Sequence, residues 1–220
     1  MPDYLYLDIE TIPTQDEAKR TDIVASASPP ANYKNEETIA KWREENGKEL
    51  IAKTSFNGGL GHICQICAVC NDRYMSAMLT SNISNEKTIV EMFADFIETT
   101  SAYTGFDPVI VGHNVNNFDI RFIWQRAIVL GVKLPRWFPK DPKPWGKDTV
   151  DTMTAWAGKR GFVSLDDLAS YLGIKAKQGV DGSMVAEMWT AGKHKEIADY
   201  CMADVHLTKA IHERMMEAGL

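Results

Sequence analysis

The chain has 220 residues, 45% hydrophobic and 25% charged. This is an ordinary balance for a soluble globular protein, and the length can close a large core without disulfides or a structural metal. The net charge of −6 excludes a protein that coats nucleic acid by bulk positive charge, but not one that holds nucleic acid locally. No apolar run approaches the ~18–20 residues that span a bilayer, the first residues lack a secretory pattern, and four cysteines are too few for a disulfide scaffold; an intracellular, cytoplasmic location is expected.

The pattern predicts one domain over residues 1–220, with an inserted excursion at about 13–61. Tyr4 to Glu10 alternates and reads as a strand. The excursion holds Ser26-Ala27-Ser28-Pro29-Pro30, a charged helical stretch from Asn35 to Lys53, and Asn57-Gly58-Gly59. The charges of that stretch are mixed in sign, as on a solvated helix face. His62 to Cys70 and Tyr74 to Leu79 read as strands, joined through Asn71-Asp72-Arg73 as a hairpin. Glu86 to Thr99 reads as a helix with Ile89, Met92, Phe93 and Phe96 on one face. Pro108 to Gly112 reads as a short buried strand, followed by a helix from about Asn117 to Leu130. A Pro-rich connector runs from Lys133 to Lys147. Ser164 is placed to cap a short helix, with Asp167 at the reciprocal position, and a final helix spans about His194 to Ala218. This order predicts a mixed sheet with helices on its faces.

Three segments carry chemistry. In Asp8-Ile9-Glu10 the carboxylates are two apart on a strand, so both point to one face and Ile9 to the other. In His113-Asn114-Val115-Asn116-Asn117-Phe118-Asp119, Asp119 falls in the first turn of the next helix, where the helix dipole favours an acid. In Tyr200-Cys201-Met202-Ala203-Asp204, phenol and carboxylate share a helix face. Each alone is explained by a solvated strand end, a helix N-terminus or a helix surface. Together they bring four carboxylates to one end of a sheet, a costly cluster unless divalent cations neutralise it. Oxygen-only ligands suit Mg²⁺ or Mn²⁺, and two such ions form a clamp for in-line displacement at phosphate.

Asp8-x-Glu10, His113-Asn114-x-x-x-Phe118-Asp119 and Tyr200-x-x-x-Asp204 resemble the three motifs of the DEDD 3′–5′ exonucleases. The Asn-x-x-x-Phe-Asp form resembles the proofreading domain of family-B DNA polymerases and stand-alone exonucleases like it. The histidine subclass would need His at position 199, which is Asp199; Tyr200 matches the tyrosine subclass. The resemblance implies a ribonuclease-H-like α/β fold, a mixed five-stranded sheet flanked by helices. It implies two divalent cations, Mg²⁺ or Mn²⁺, on Asp8, Glu10, Asp119 and Asp204, and a water oriented by Tyr200. Asn114 and Phe118 would shape the substrate end, with Thr11 near the terminal nucleotide. The expected partner is nucleic acid with a free 3′ end, single-stranded DNA before others. An exoribonuclease and a non-catalytic end-binding module remain open as alternatives.

Other signals are weaker. Cys64-x-x-Cys67-x-x-Cys70 has cluster-like spacing, but residues three apart on a strand face opposite sides, so small buried side chains are expected. The connector interleaves Arg136, Lys140, Lys143 and Lys147 with Trp137, Phe138 and Trp145. It has two readings, a single-strand-binding surface or a loop pinned by its aromatics. Asp148 and Asp151 read as strand-end or supporting residues, and His113 as a hydrogen-bonded structural histidine.

Overall fold

The computed structural model describes residues 3–80, 82–143, 146–175 and 181–220. Its sheet has five strands in the order β3-β2-β1-β4-β5: β1 (Tyr4–Ile12), β2 (His62–Cys70), β3 (Arg73–Met78), β4 (Val109–Gly112) and β5 (Thr149–Asp151). β2 runs antiparallel to β1 and β3, while β4 and β5 run parallel to β1. This is the mixed five-stranded sheet expected for a ribonuclease-H-like fold.

Eight α-helices accompany it among the described residues: α1 (Glu17–Ser26), α2 (Glu36–Ala52), α3 (Glu86–Thr104), α4 (Asp119–Leu130), α5 (Thr152–Ala157), α6 (Leu165–Tyr171), α7 (Val185–Thr190) and α8 (His194–Glu217). Alternation along β1 sorts the sheet faces. Leu5, Leu7 and Ile9 join Ile66, Phe93, Ile97, Ile120 and Phe122 in one core, beneath α3 and α4. On the opposite face Tyr6, Cys67 and Val69 meet Val111 and Cys201, Val205 of α8. A further cluster ties Leu207, Ile211 and Met215 of α8 to Met153, Val163, Leu168 and Ala169. Each fully buried Leu, Ile or Phe contributes about 1.5–3 kcal/mol.

Most expected elements are present, with differences. Met92, expected on the buried face of α3, is 49% exposed; the buried stripe is Glu86, Ile89, Val90, Phe93, Ala94, Ile97 and Thr100. The excursion contains a second helix, α1, which starts where the Asp16 carboxylate accepts from the amides of Ala18 and Lys19. α2 is the charged helix, started by the Asn35 side chain on the Thr38 amide, and only its Gly47 is buried. Gly47 lies against Val24 of α1. Ser164 caps α6 through the amide of Asp167.

The connector after α4 is pinned to the body. Phe138 is buried against Phe93 and Trp124, and the Trp124 indole donates to the Pro139 carbonyl at 2.7 Å. The reading of its aromatics as anchors therefore holds for Trp137 and Phe138, both packed on the core; Trp145 lies outside the described residues. Cys64, Cys67 and Cys70 are buried free thiols, with Cys64 and Cys70 in one core cluster and Cys67 in the other. No helix among the described residues is long and apolar enough to cross a membrane.

Candidate active site

β1 carries the first two acids. It pairs with β4 only over Tyr4, Leu5 and Tyr6, so its later residues extend past the end of β4. Opposite them on β2 stand Cys67, facing Asp8, and Gln65, facing Glu10. Just past Glu10 the β1–β2 register shifts. Such bulges re-aim side chains near strand ends.

The overhang leaves the Ile9 amide without a β4 partner, and Asp119 takes it: its Oδ1 accepts from Ile9 N at 3.0 Å. Asp119 is the first residue of α4 and is buried. The chain reaches it through a tight loop. A Cβ at Gly112 would lie 2.5 Å from Val115 Cβ, so only glycine fits there. Asn114 adopts φ 59°, the left-handed region that Asn tolerates better than most residues. Asp151, at the end of β5, accepts from Asn114 N at 3.0 Å and Asn116 N at 3.2 Å, and also caps α5. His113 bonds Thr152 Oγ1 and the Val163 carbonyl, both at 2.9 Å. Burial lowers its pKa, so a neutral ring donating from Nε2 to Val163 satisfies both contacts. Asp151 and His113 are thus supports of the middle loop, as expected.

α8 crosses the same sheet face as Asp8 and Glu10 and brings Tyr200 and Asp204 to them. The Tyr200 hydroxyl and the Asp204 carboxylate interact across one helical turn. The sequence singled out their neighbour Cys201 for nothing, yet its sulfur lies within 4.8 Å of ligand oxygens of Asp8 and Glu10. It donates to the Asp8 carbonyl at 3.5 Å. Its only signal is the inward stripe Ile197-Cys201-Val205. Burial, reinforced by the Cys67 thiol and the acids, raises its pKa far above that of a free thiol, so it stays a protonated thiol behind the carboxylates.

The electrostatics are those of crowded acids. Burial, then Glu10, Asp119 and Asp204, push Asp8 well above the carboxylate range. Glu10 is pushed up by burial, then by Asp204 and Asp119. Asp119 is raised to about 7, chiefly by burial, against the stabilising bond from Ile9. Asp204 is raised to about 6 by burial, against the lowering influence of the Tyr200 hydroxyl. Burial and the neighbouring acids also raise Tyr200 far above an ordinary phenol. Asp8 Oδ2 is buried without a hydrogen-bond partner, a state that costs free energy unless something binds it. Among the described residues, Asp8 and Glu10 with the Cys201 sulfur form the group whose potential ligand atoms lie within 4.8 Å of one another; their carboxylate oxygens, one of them orphaned, fit a hard divalent cation.

Beside Glu10 lies a cavity of about 590 Å³, lined also by Thr11, Ser55, Phe56 and Phe118. The Thr11 hydroxyl donates to the Ser55 carbonyl at 2.8 Å. Asn114, by contrast, acts on the loop itself: its carbonyl accepts from Phe118 N at 3.0 Å and its side chain bonds Asn117.

Residues 57–218 match the model of a family described as predicted 3′–5′ exonucleases related to the exonuclease domain of PolB. The chain belongs to that family. Asp8 and Glu10 precede the matched segment; β1 nevertheless places them beside the later acids. Among solved structures, the family B DNA polymerase of the hyperthermophilic archaeon Pyrobaculum calidifontis is similar, with 20% identity and a TM-score of 0.61. The match covers 98% of this chain and 25% of that one, a likeness of fold that spans about a quarter of the polymerase. No curated protein matches the chain.

Proposed function

We propose that this protein is a divalent-metal-dependent 3′–5′ exonuclease that hydrolyses nucleic acid, single-stranded DNA by preference, to nucleoside monophosphates. The observation that carries the reading is the carboxylate cluster, buried at Glu10 and Asp119 and half-buried at Asp8 and Asp204, with the orphaned Oδ2 of Asp8 inside it. Asp8, Glu10, Asp119 and Asp204 would hold two cations, Mg²⁺ or Mn²⁺. Bound there, the ions would supply a hydroxide nucleophile at neutral pH and offset charge on the phosphate.

The chain's own residues do the rest. The Ile9 amide fixes the Asp119 carboxylate against β1. Tyr200 keeps its proton throughout the neutral range, because burial raises its pKa; it acts by orienting the attacking water rather than by taking its proton. Phe118, Thr11 and the loop shaped by Asn114 border the cavity that receives the end of the strand. A narrow site of this kind favours unpaired ends, since a duplex end must first unstack and unpair. The four free cysteines fit an intracellular setting.

The test is incubation with 3′- and 5′-labelled DNA and RNA oligonucleotides, with Mn²⁺, Mg²⁺ or excess EDTA. A 5′-labelled single strand shortening stepwise from its 3′ end, only with metal, supports the reading. Robust hydrolysis in EDTA, or no hydrolysis with either ion, would overturn it.

A further inference from the structure

The geometry points to Phe56 as a substrate-positioning residue, presented by the 13–61 excursion so that a base near the 3′ end stacks on its ring. This rests on the exonuclease reading above. The ring is 73% exposed, and it lines the cavity that also contains Glu10 and Thr11. Its centroid is 6.3 Å from that of Phe118, tilted by 59°. Phe118 in turn leans on Phe122 at 5.6 Å. Phe56 thus abuts an aromatic row running into the core, while the ring stays open to solvent.

The backbone on both sides of Phe56 is tied down. The Ser55 carbonyl accepts from Thr11 on β1, and Thr54 Oγ1 accepts from Thr14 N at 2.9 Å. Two residues after Phe56, the Gly58 amide donates to Gln125 Oε1 at 3.0 Å and its carbonyl accepts from Arg126 Nη1 at 3.0 Å. A Cβ at Gly58 would stand 2.8 Å from Gln125 Cβ, so the close approach to α4 needs glycine. Arg126 is held by a buried fork on Glu86. A large apolar ring is thus held in water by buried and part-buried bonds on both sides of it, an arrangement that lowers the ordering cost of binding a planar partner.

The occupant follows from the cavity. Glu10 and Phe56 border one space, so a nucleotide whose phosphate meets the carboxylates carries its base to the Phe56 side. Stacking accepts any base, because every base has a π-face. The excursion therefore supplies a wall of the substrate cavity.

The test compares single-stranded oligonucleotides ending in a 3′ thymidine or a 3′ abasic residue, cut by the wild type, Phe56→Ala and Phe56→Trp with Mn²⁺. The readout is the ratio of kcat/KM for the base-bearing over the abasic end. The wild type is expected to favour the base. Phe56→Ala should lower the ratio by roughly 5-fold or more, the scale of one lost stacked base, and Phe56→Trp should keep it. Melting temperatures of the variants matching the wild type exclude a folding defect as the cause. An unchanged ratio in Phe56→Ala, or a loss equal in Phe56→Trp, overturns the inference and leaves the exonuclease reading standing. If the wild type cuts neither oligonucleotide, the exonuclease reading fails and the inference with it.

Discussion

The Ile9 amide and the Asp119 carboxylate are joined by a 3.0 Å hydrogen bond, which closes the gap left where β1 outruns β4. Neutralising that carboxylate separates its two contributions. Asp119→Asn keeps an acceptor for Ile9 and removes a charge from a crowded, buried site. Without divalent ions, its melting temperature should equal or exceed that of the wild type. Stabilisation by Mn²⁺ and nuclease activity should both be lost. Calorimetry with and without Mn²⁺ checks this; a metal-free variant much less stable than the wild type would refute it.

Stability without metal should fall as pH rises. Asp119 is raised to about 7 and Asp204 to about 6, and Asp8 and Glu10 are raised well above their usual range, all primarily by burial. Unfolded carboxylates titrate near 4. Between about pH 4 and pH 7 the folded state therefore binds more protons than the unfolded state, and unfolding free energy declines with pH. Melting curves in EDTA across that window should slope downward. Saturating Mn²⁺ should flatten the slope by favouring the ionised, folded site.

Tyr200 and Asp204 should fail differently. Asp204→Ala should weaken Mn²⁺ binding and turnover together, with partial rescue by excess Mn²⁺. Tyr200→Phe keeps the ring and its packing, and should lower turnover by ~10- to 10³-fold, the range for one positioned group. Its Mn²⁺ affinity should change little. Steady-state rates and Mn²⁺ titrations of both variants decide the matter, and full activity of Tyr200→Phe would remove its role in orienting water.

Removing Arg126 should be among the costlier single changes. Arg126→Met strands Glu86, 1% exposed as a side chain, and should cost about 3–5 kcal/mol. Hydrogen bonds from His62 and Arg126 hold Glu86 below its usual pKa despite its burial. The pair variant Glu86→Leu/Arg126→Met should recover much of the loss, as denaturant melts can show.

The legible parts of the sequence were those governed by short periods. Asp8 and Glu10 follow the two-residue repeat of a strand, Tyr200 and Asp204 the turn of a helix, and Asp119 the first turn of α4. Met92 was misplaced because it lies about 120° round α3 from the centre of the buried stripe, beside residues that are inside. α1 has a weak apolar pattern and buries no residue, so nothing but its Asp16 cap marked it. Cys201 and Phe56 gain their places from contacts distant in the chain, with Asp8 and Phe118, and no local pattern encodes such pairs.

α8 belongs to three hydrophobic clusters along its length, beginning with Ile197 in the main core. Cys201 and Val205 are buried on the sheet, whereas Leu207, Ile211 and Met215 are buried against α5 and α6. Asp204 stands at the junction. Cooperative units of a protein can open separately, well before the whole unfolds. Opening of the smaller unit would loosen α8 next to Asp204 and free Val163 from His113, while the five strands stayed paired. Catalytic competence should then vanish at a lower denaturant concentration than strand structure, and amide exchange should be faster at Leu207–Met215 than at Ile197–Val205.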